Sequence, residues 1–480
     1  MHLDWLHLGT LVALAHILGL IAACHAILNT RTSQGAIAWA VSLTAMPYLT
    51  LIPYLFLGRS KFSGYVDARR TETAALRTRS RPASWDTHGS SLGVPSDTLG
   101  ASPVRALTQL GGMPFVGGNA VRLLVNGEAT FSAILSAIED ARHYAIVQFF
   151  IVRDDALGDM LRDALLACAA RGVRCYLLYD SIGSFDLPHH RYVNALRAGG
   201  VEVHTFATNK RFVNRFQLNF RNHRKIVVVD GERAFVGGHN VGVEYLGANP
   251  KLSPWRDTHI ELRGPVVANV QYVFAEDWHW ATQSLPVSAP VQPPVGDEDM
   301  HCLVVPMGPA DKQETGSLFF VEAIHAARER VWITTPYLVP DEAVISALKL
   351  AVMRGVDVRI LIPSRRDHYV VFEASKLYAR DLVDAGVRIF RYRPGFLHQK
   401  VVLIDDAAAA IGSANLDNRS FRLNFEIMVL TVDAGFAADV DAMLERDFSL
   451  ADEVDLSELQ RAGAWRRMLM QVARLFAPIL

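Results

Sequence analysis

The pattern of apolar and polar positions divides the chain into an uncharged N-terminal stretch and a long remainder in which apolar and polar segments alternate. Residues 6–28 and residues 35–57, runs of 23 residues each, contain no Asp, Glu, Lys or Arg. A helix needs roughly 20 apolar residues to cross a bilayer, so each run is long enough. Pro47 and Pro53 predict a kink in the second run. We therefore predict a hairpin of two membrane-spanning helices within residues 1–60.

The distribution of basic residues predicts the side of the membrane on which the remainder lies. Only Arg31 lies between the two apolar runs, whereas seven Arg and Lys residues follow the second run between positions 59 and 81. Basic residues next to membrane helices favour the cytoplasmic side, so we expect the C-terminal portion in the cytoplasm. Residues 61–110 contain a stretch rich in Ser, Thr, Gly, Pro and Arg, which predicts a tether.

Beyond the tether, helix-like and strand-like segments alternate in two similar copies. RGVRCYLLYD (171–180) and RGVDVRILIP (354–363) each follow a helix pattern and read as a buried strand. This order is typical of layered α/β units. The sequence thus predicts two α/β domains with mixed sheets related by a pseudo-twofold axis, at 111–285 and 301–452, joined by a proline-rich linker at 286–300. Residues 453–480 are an amphipathic segment that either packs on the core or lies on the bilayer.

Composition narrows the class of protein. The 480 residues include 48 Lys and Arg and 49 Asp and Glu, a net charge of −1, which excludes a strongly basic nucleic-acid coat protein. Four cysteines with no C-x-x-C pair exclude a disulfide framework and a cysteine zinc cage. No His, Asp or Glu set with metal-ligand spacing lies near the motifs described next, so we expect neither a metal nor another cofactor.

One pattern of six residues occurs in both copies at a constant offset of 175 positions. With roughly one chance in twenty per position, coincidence has a probability of about 10⁻⁸ per starting point. The pattern is a His, a Lys two residues later, an Asp, two small residues and an Asn. Its two occurrences are His223, Lys225, Asp230, Gly237, Gly238 and Asn240, and His398, Lys400, Asp405, Gly412, Ser413 and Asn415.

Strand geometry gives these residue types separate tasks. Side chains alternate along a strand, so the His and the Lys of each copy point the same way. Asp230 and Asp405 fall at strand ends, where we expect them to hold the turns. Two His, two Lys and two Asn around one volume suit a phosphodiester. The Lys and Asn side chains would stabilise charge on its oxygens, while one His attacks phosphorus and the other protonates the leaving oxygen.

The paired H-x-K-x₄-D-x₆-G-[GS]-x-N motifs resemble those of the phospholipase D superfamily. The apolar hairpin and segments such as NFRNHRKIVVVDG and RPGFLHQKVVLIDD are similar to the bacterial cardiolipin synthases in particular, over about residues 113–450. This resemblance implies a phosphatidyltransferase of the bacterial inner membrane. Two phosphatidylglycerol molecules would become cardiolipin and glycerol through a phosphatidyl-histidine intermediate. The expected partners are phosphatidylglycerol and anionic membrane lipid, without nucleic acid, and the oligomeric state is left open.

The resemblance also implies roles for single residues. It makes His223 the favoured nucleophile and His398 the general acid that then becomes the base, although two near-equivalent motifs leave the opposite assignment open. An acidic residue beyond each motif would orient an imidazole. The predicted catalytic set is His223, Lys225, Asp230, His398, Lys400 and Asp405. The predicted phosphate-binding and supporting set is Asn240, Asn415, Gly238, Ser413, Asp257 and Glu426.

The two copies differ just before the motif, where the first carries 11 extra residues. This region reads NKRFVNRFQLNFRN (209–222). Its phenylalanines either pack under the domain or, as Phe212, Phe216 or Phe220, enter lipid. Two other functions use the same motifs: a membrane-bound phospholipase D that hydrolyses phosphatidylcholine-like lipids and, less in keeping with the hairpin, a nuclease of the superfamily.

Overall fold

The computed structural model describes residues 2–475 except positions 31–32, 59–94, 188, 207–219, 288–291, 297, 312 and 456–463. The basic run at 59–81, most of the predicted tether and most of the insertion before His223 therefore lie outside the described residues. Phe212 and Phe216 are among the residues not described.

The described N-terminal residues form three helices, α1 (His2–Asn29), α2 (Ser33–Ala45) and α3 (Pro47–Leu57). Within α1, Gly9–Asn29 is long and apolar enough to cross a membrane. The second apolar run is two helices rather than the single kinked helix we predicted. Met46 leaves the helical conformation, with φ −139°, and Pro47 begins the next helix because it has no N–H to donate. Helix α1 contacts both α2 and α3.

The first α/β half alternates helices and strands in the predicted manner. It begins with two helices within residues 95–111, where we predicted a tether. That part of the prediction is wrong, because Leu99, Val104 and Leu107 are buried in an apolar cluster with the second half. In chain order its elements are α4 (Ser96–Leu99), α5 (Ala101–Gly111), β1 (Val116–Val125), α6 (Asn126–Asp140), β2 (Tyr144–Phe149), α7 (Ala156–Ala170), β3 (Arg174–Asp180), a π-helical turn (His189–Val193), α8 (Asn194–Ala198), β4 (Glu202–Phe206), β5 (Arg221–Asn222), β6 (Ile226–Val229), β7 (Arg233–Gly237), a 3₁₀ turn (Val243–Leu246), β8 (Trp255–Arg256), β9 (Thr258–Arg263) and α9 (Val266–Thr282).

The second half repeats this alternation and ends in a separate helix. Its elements are β10 (Met300–Met307), α10 (Thr315–Ala326), β11 (Arg330–Thr334), β12 (Leu338–Val339), α11 (Glu342–Met353), β13 (Asp357–Pro363), α12 (Tyr369–Val383), β14 (Arg388–Tyr392), β15 (Phe396–Leu397), β16 (Val401–Ile404), β17 (Ala408–Gly412), β18 (Leu416–Asp417), α13 (Asn418–Arg422), β19 (Asn424–Val432), α14 (Ala434–Ser449), β20 (Ala451–Glu453) and α15 (Ala464–Leu475).

One mixed sheet runs through both halves. Among the described residues it has sixteen strands, in the order β20-β14-β13-β11-β16-β17-β19-β10-β1-β9-β7-β6-β2-β3-β4, with β5 paired to β19 beside this path. The antiparallel pair β1 and β10 joins the halves. Outward from that pair, the second half repeats the strand order of the first. The predicted α/β architecture with mixed sheets is confirmed, whereas the twofold axis stays a prediction.

The two halves share one buried apolar layer. A single cluster includes Ile226 and Ile260 of the first half together with Leu403 and Ile427 of the second. Helix α9 contacts β10, and helix α14 contacts β1, so each half covers a central strand of the other. Each such aliphatic side chain contributes about 1.5–3 kcal/mol when it is fully buried. The packing therefore holds the two motif-bearing strands in a fixed relation.

The structure bears on two expectations about surface segments, one for Phe220 and one for the C-terminal segment. Phe220 is fully buried in the shared cluster, so the interpretation in which Phe220 enters lipid is wrong. Helix α15 contacts α12, with Met470 and Ala473 buried. The Arg474 guanidinium lies 5.1 Å from the centre of the Tyr378 ring. Of the two alternatives for the C-terminal segment, packing on the core holds for this helix.

Candidate active site

The backbone of the second half positions His223. Strand β5 runs parallel to β19, and just beyond β5 the His223 N–H donates to the Phe425 carbonyl at 2.9 Å. The next residue along β19 is Glu426, whose Oε2 lies 2.9 Å from His223 Nδ1. Since the carboxylate engages Nδ1, Nε2 is the ring nitrogen available for chemistry.

The first half positions His398 in the same way. Strand β15 runs parallel to β8, and the His398 N–H donates to the Arg256 carbonyl at 2.8 Å. The residue after Arg256 is Asp257, whose Oδ2 lies 2.7 Å from His398 Nδ1. Arg256 is itself buried and bound to Asp447, which fixes the strand that carries Asp257.

The pairing of histidines with carboxylates therefore crosses between the halves. The sequence singled out Asp257 and Glu426, but it did not indicate which histidine each would reach. In the structure, the acidic residue beyond each motif binds the histidine of the other motif. Neither half alone contains a complete pair, so the site requires both halves.

The H-x-K segments differ from our expectation in one detail. Residues 223–225 and 398–400 are not strand residues but short links between a two-residue strand and a longer one. The reason is that the chain changes partner there, from the opposite half to its own half. Both lysines still turn back to their histidines. Lys225 Nζ donates to the His223 carbonyl at 2.6 Å, and Lys400 Nζ donates to the His398 carbonyl and lies 2.9 Å from His398 Nδ1.

Burial sets the charge states of these four side chains. It lowers the pKa of His223 to about 4 and the pKa of His398 to about 3, and the lysine of the same motif acts in the same direction. Burial also lowers the pKa of Lys400 to about 8 and the pKa of Lys225 well below its usual range. Both imidazoles are therefore neutral at neutral pH, and at least Lys400 retains a proton that a bound anion would stabilise.

The two carboxylates stay ionised in this setting. Burial alone would raise the pKa of Asp257, but His239, His398 and Lys400 outweigh it and hold that pKa well below the usual range. The pKa of Glu426 is likewise lowered, because His223 outweighs the effect of burial. Each ionised carboxylate fixes one histidine tautomer and stabilises an imidazolium when it forms.

The small residues of the motifs support the carboxylates. A Cβ on Gly238 would lie 2.0 Å from Asp257 Oδ1, so only glycine leaves room for that carboxylate. Ser413 occupies the equivalent position in the second motif, and its Oγ donates to Glu426 Oε2 at 2.6 Å. The structure thus brings both predicted residues next to the orienting carboxylates.

Each motif asparagine is held by its own loop. Asn240 Oδ1 accepts from the Ile151 N–H at 3.1 Å, and its Nδ2 donates to the Tyr245 hydroxyl at 3.0 Å. Asn415 Nδ2 donates to Asp417 at 3.2 Å, while its buried Oδ1 has no hydrogen-bond partner among the described residues. Their contact with a substrate phosphate stays a prediction.

The motif aspartates bind backbone, as the strand geometry predicted. The Asp230 carboxylate accepts the N–H groups of residues 142, 143 and 144, each at 2.8 Å. Asp405 does the same for residues 328, 329 and 330 at 2.8–3.2 Å. Both aspartates have positive φ, 53° and 50°, in tight turns. Each aspartate therefore joins its hairpin to the start of a neighbouring strand through hydrogen bonds to backbone, as we expected of their side chains.

The sequence reasoning missed the side chains that surround the two imidazoles. The Phe150 ring lies 4.9 Å from the His223 ring, and the Trp255 ring lies 5.1 Å from the His398 ring. A buried pair, His239 and His259, with Nδ1 atoms 3.0 Å apart, also lies near Asp257. Trp255 stands two residues before Asp257, so the motif PWRDTH carried a signal. Within the described ranges, no group of three or more His, Cys, Asp and Glu side chains could hold a metal ion.

Comparison with known proteins identifies relatives of this chain. A family model described as "Cardiolipin synthase, PLD-like domain" matches residues 134–278 and 320–448. Cardiolipin synthase A of Pseudomonas aeruginosa strain LESB58 is 58% identical over 475 residues, covering 99% of this chain and 96% of that protein. Cardiolipin synthase A of Pseudomonas putida is 54% identical over 484 residues, covering 100% of both. The crystal structure of phosphatidylserine synthase from Haemophilus influenzae matches with a TM-score of 0.60 at 15% identity, covering 79% of this chain and 100% of that one, and so shares its fold.

Proposed function

The chain belongs to the cardiolipin synthase family with phospholipase D-like domains, and on that basis we propose that it is a cardiolipin synthase. It transfers a phosphatidyl group from one phosphatidylglycerol to another and releases glycerol. The observation that carries this proposal is the pair of buried, neutral imidazoles, each fixed at Nδ1 by a carboxylate from the other half. Such a pair offers one nucleophile and one proton carrier to the same phosphodiester.

In the first step, His223 Nε2 attacks the phosphorus of the donor lipid. The bond from phosphorus to the headgroup glycerol oxygen breaks, and protonated His398 gives its proton to that oxygen. The anionic phosphodiester stabilises the imidazolium of His398 before this step, since burial beside Lys400 otherwise keeps the ring neutral. Lys225, Lys400 and the motif asparagines stabilise the charge on the non-bridging oxygens. The products are phosphatidyl-His223 and free glycerol.

In the second step, a headgroup hydroxyl of another phosphatidylglycerol attacks the phosphatidyl-histidine. His398, now neutral, accepts the hydroxyl proton, and the bond between phosphorus and His223 Nε2 breaks. One phosphodiester has replaced another, so the reaction is reversible and excess glycerol drives it backwards. The cycle ends with His398 protonated again, and protons balance.

The proposal also includes the membrane hairpin and the symmetry of the two halves. We propose that residues 1–60 form a membrane hairpin in the bacterial inner membrane, with the catalytic body on the cytoplasmic side. The apolar segment Gly9–Asn29 and the contacts of α1 with α2 and α3 support the hairpin. The strand order, which repeats outward from β1 and β10, supports a pseudo-twofold axis between those two strands.

Product analysis with defined lipids tests the function. The purified full-length protein is given vesicles that contain phosphatidylglycerol, and the lipid and water-soluble products are quantified. We expect cardiolipin and glycerol in equal amounts, and loss of cardiolipin on adding excess glycerol. Phosphatidic acid as the main product would instead identify a hydrolase of the phospholipase D type and overturn the proposal.

A further inference from the structure

The two histidines differ in the charge of the residues around them. Arg221 and Arg419 lie beside the His223 half of the site. The positions offset from them by 175 residues are Phe396, two residues before His398, and Glu244. Two arginines therefore replace an aromatic ring and a carboxylate. The repeated motif does not require this difference, so it points to a task that only one half of the site performs.

Arg221 is held close to His223 by the strand that precedes the motif. In strand β5, Arg221 pairs with Asn424 of β19, and His223 follows two residues later along the chain. Two residues of extended backbone span about 6.6 Å. The Arg221 side chain is partly exposed and has no hydrogen bond or ion pair with another described residue. The oxygens of the nearby Asp180 accept backbone N–H groups instead.

Arg419 reaches the same place from the second half. It lies on α13, which in the sequence comes after the motif residue Asn415 and before Glu426. Helix α13 contacts β19, the strand that pairs with β5, so Arg419 and Arg221 lie on neighbouring elements. Burial lowers the pKa of Arg419 to about 10, and the charge of Arg221 adds to this effect. The carboxylates of Asp417, Glu426 and Asp180 act on that pKa in the opposite direction, although their oxygens also accept hydrogen bonds from other groups. An anion between the arginines would relieve their repulsion.

The chemistry of the reaction identifies such an anion. The donor lipid has one phosphate, which reacts at the histidines. The acceptor carries a phosphate of its own that is not transferred, one glycerol away from the attacking hydroxyl. The separation of Arg221 from His223 along the extended chain is comparable to the reach of that glycerol. We propose that Arg221 and Arg419 bind the phosphate of the acceptor phospholipid, an assignment that rests on the proposed synthase function and specifies its second substrate.

A competition between two acceptors tests this assignment. Vesicles containing phosphatidylglycerol are supplied with isotopically labelled glycerol, and cardiolipin formation is compared with incorporation of label into phosphatidylglycerol. Both reactions pass through the same phosphatidyl-enzyme, but glycerol has no phosphate. We expect Arg221→Gln and Arg419→Gln each to lower the cardiolipin-to-label ratio about 10- to 100-fold, because a charge-assisted contact is lost. Incorporation of label should stay within about twofold of the unmodified protein.

The controls separate this proposal from the function on which it rests. Arg191→Gln removes an exposed arginine far from the motifs in sequence and should leave the ratio unchanged. Arg221→Lys and Arg419→Lys should keep part of the ratio, because the positive charge remains. Suppose that the unmodified protein makes cardiolipin, and that each glutamine variant either loses both reactions equally or loses neither. The acceptor site is then refuted, while the synthase function stands. If the unmodified protein makes no cardiolipin, the function itself fails.

Discussion

The two halves of the active site carry the same motif in unequal surroundings. His223 faces Glu426 and the edge of Phe150. His398 faces Asp257 and lies among the rings of Trp255, Phe396 and Tyr245, with centroids 5.1, 6.0 and 6.4 Å away. The repeat therefore supplies the reacting groups twice, and the unrepeated neighbours distinguish them.

The lysines of the two motifs also make different contacts. Lys225 Nζ donates to the backbone of His223, whereas Lys400 Nζ also lies 2.9 Å from the His398 ring nitrogen Nδ1. A cation so close makes protonated His398 a stronger acid, which suits donation to a leaving oxygen. Among the described residues, no lysine ammonium lies within hydrogen-bond distance of the His223 ring, which suits nucleophilic attack. These contacts favour the assignment of His223 as nucleophile and His398 as acid and base.

The largest expected effect separates the two histidines directly. His223→Ala and His398→Ala should each lower cardiolipin synthesis at least about 10⁴-fold, since each removes a reacting group. With a phosphatidyl ester of p-nitrophenol, whose leaving group needs no acid, His398→Ala should still release a burst of nitrophenol. His223→Ala should give none. The measurement is rapid-mixing absorbance, and a burst from His223→Ala alone would reverse the assignment.

Removing the charge of each carboxylate should slow the same step as removing the histidine that the carboxylate contacts. We expect Glu426→Gln and Asp257→Asn to lower turnover about 10²- to 10⁴-fold, because the paired imidazole loses its tautomer and the support of its cationic form. Glu426→Gln should slow the nitrophenol burst, whereas Asp257→Asn should slow only later turnovers. Glu426→Asp and Asp257→Glu keep the charge and serve as controls, which should recover part of the rate with an unshifted pH profile. Identical effects of both variants on the burst would contradict the division of roles.

The positions of Gly238 and Ser413 give a smaller, asymmetric test. Gly238→Ser should displace the Asp257 carboxylate, which lies 2.0 Å from the site of the new Cβ, and lower turnover about 10²-fold. The reverse change, Ser413→Gly, removes one hydrogen bond to Glu426 and should cost less than about tenfold. Steady-state rates and thermal unfolding of both variants check this, and equal losses would mean that the two positions are interchangeable after all.

Sequence reasoning indicated the fold class and the residues of the candidate site because both have strong local signals. The alternation of helices and strands follows from apolar periodicity, and the motif repeats at one fixed offset. The turn role of Asp230 and Asp405 followed from strand ends. The break at Met46 was foreseen only as a kink, because Pro47 fits the first position of a new helix as well as it bends an old one.

The crossed carboxylates could not be predicted in the same way. His223 and Glu426 are 203 positions apart in the chain, and His398 and Asp257 are 141 apart. The strands that bring them together, β5 and β15, have two residues each, too few to leave a periodic pattern. The position of Phe220 cannot be predicted for a related reason, since a phenylalanine among arginines gives the same sequence pattern in a lipid-facing loop and beneath a domain.

The smallest expected effect concerns the two lysines and appears in the pH dependence. Burial lowers the pKa of Lys400 to about 8, so Lys400 is charged below that pH and neutral above it. Because its charge stabilises the phosphate oxygens, kcat/KM should fall as pH rises through about 8. Lys400→Arg keeps the charge throughout this pH range. We expect this variant to be slower overall, and the alkaline limb of its kcat/KM to lie at a pH higher than about 8. Lys225→Arg, the matched change in the other motif, should leave the limb near pH 8. If Lys225→Arg moved the limb and Lys400→Arg did not, the unequal contacts of the two ammonium groups would have no bearing on catalysis.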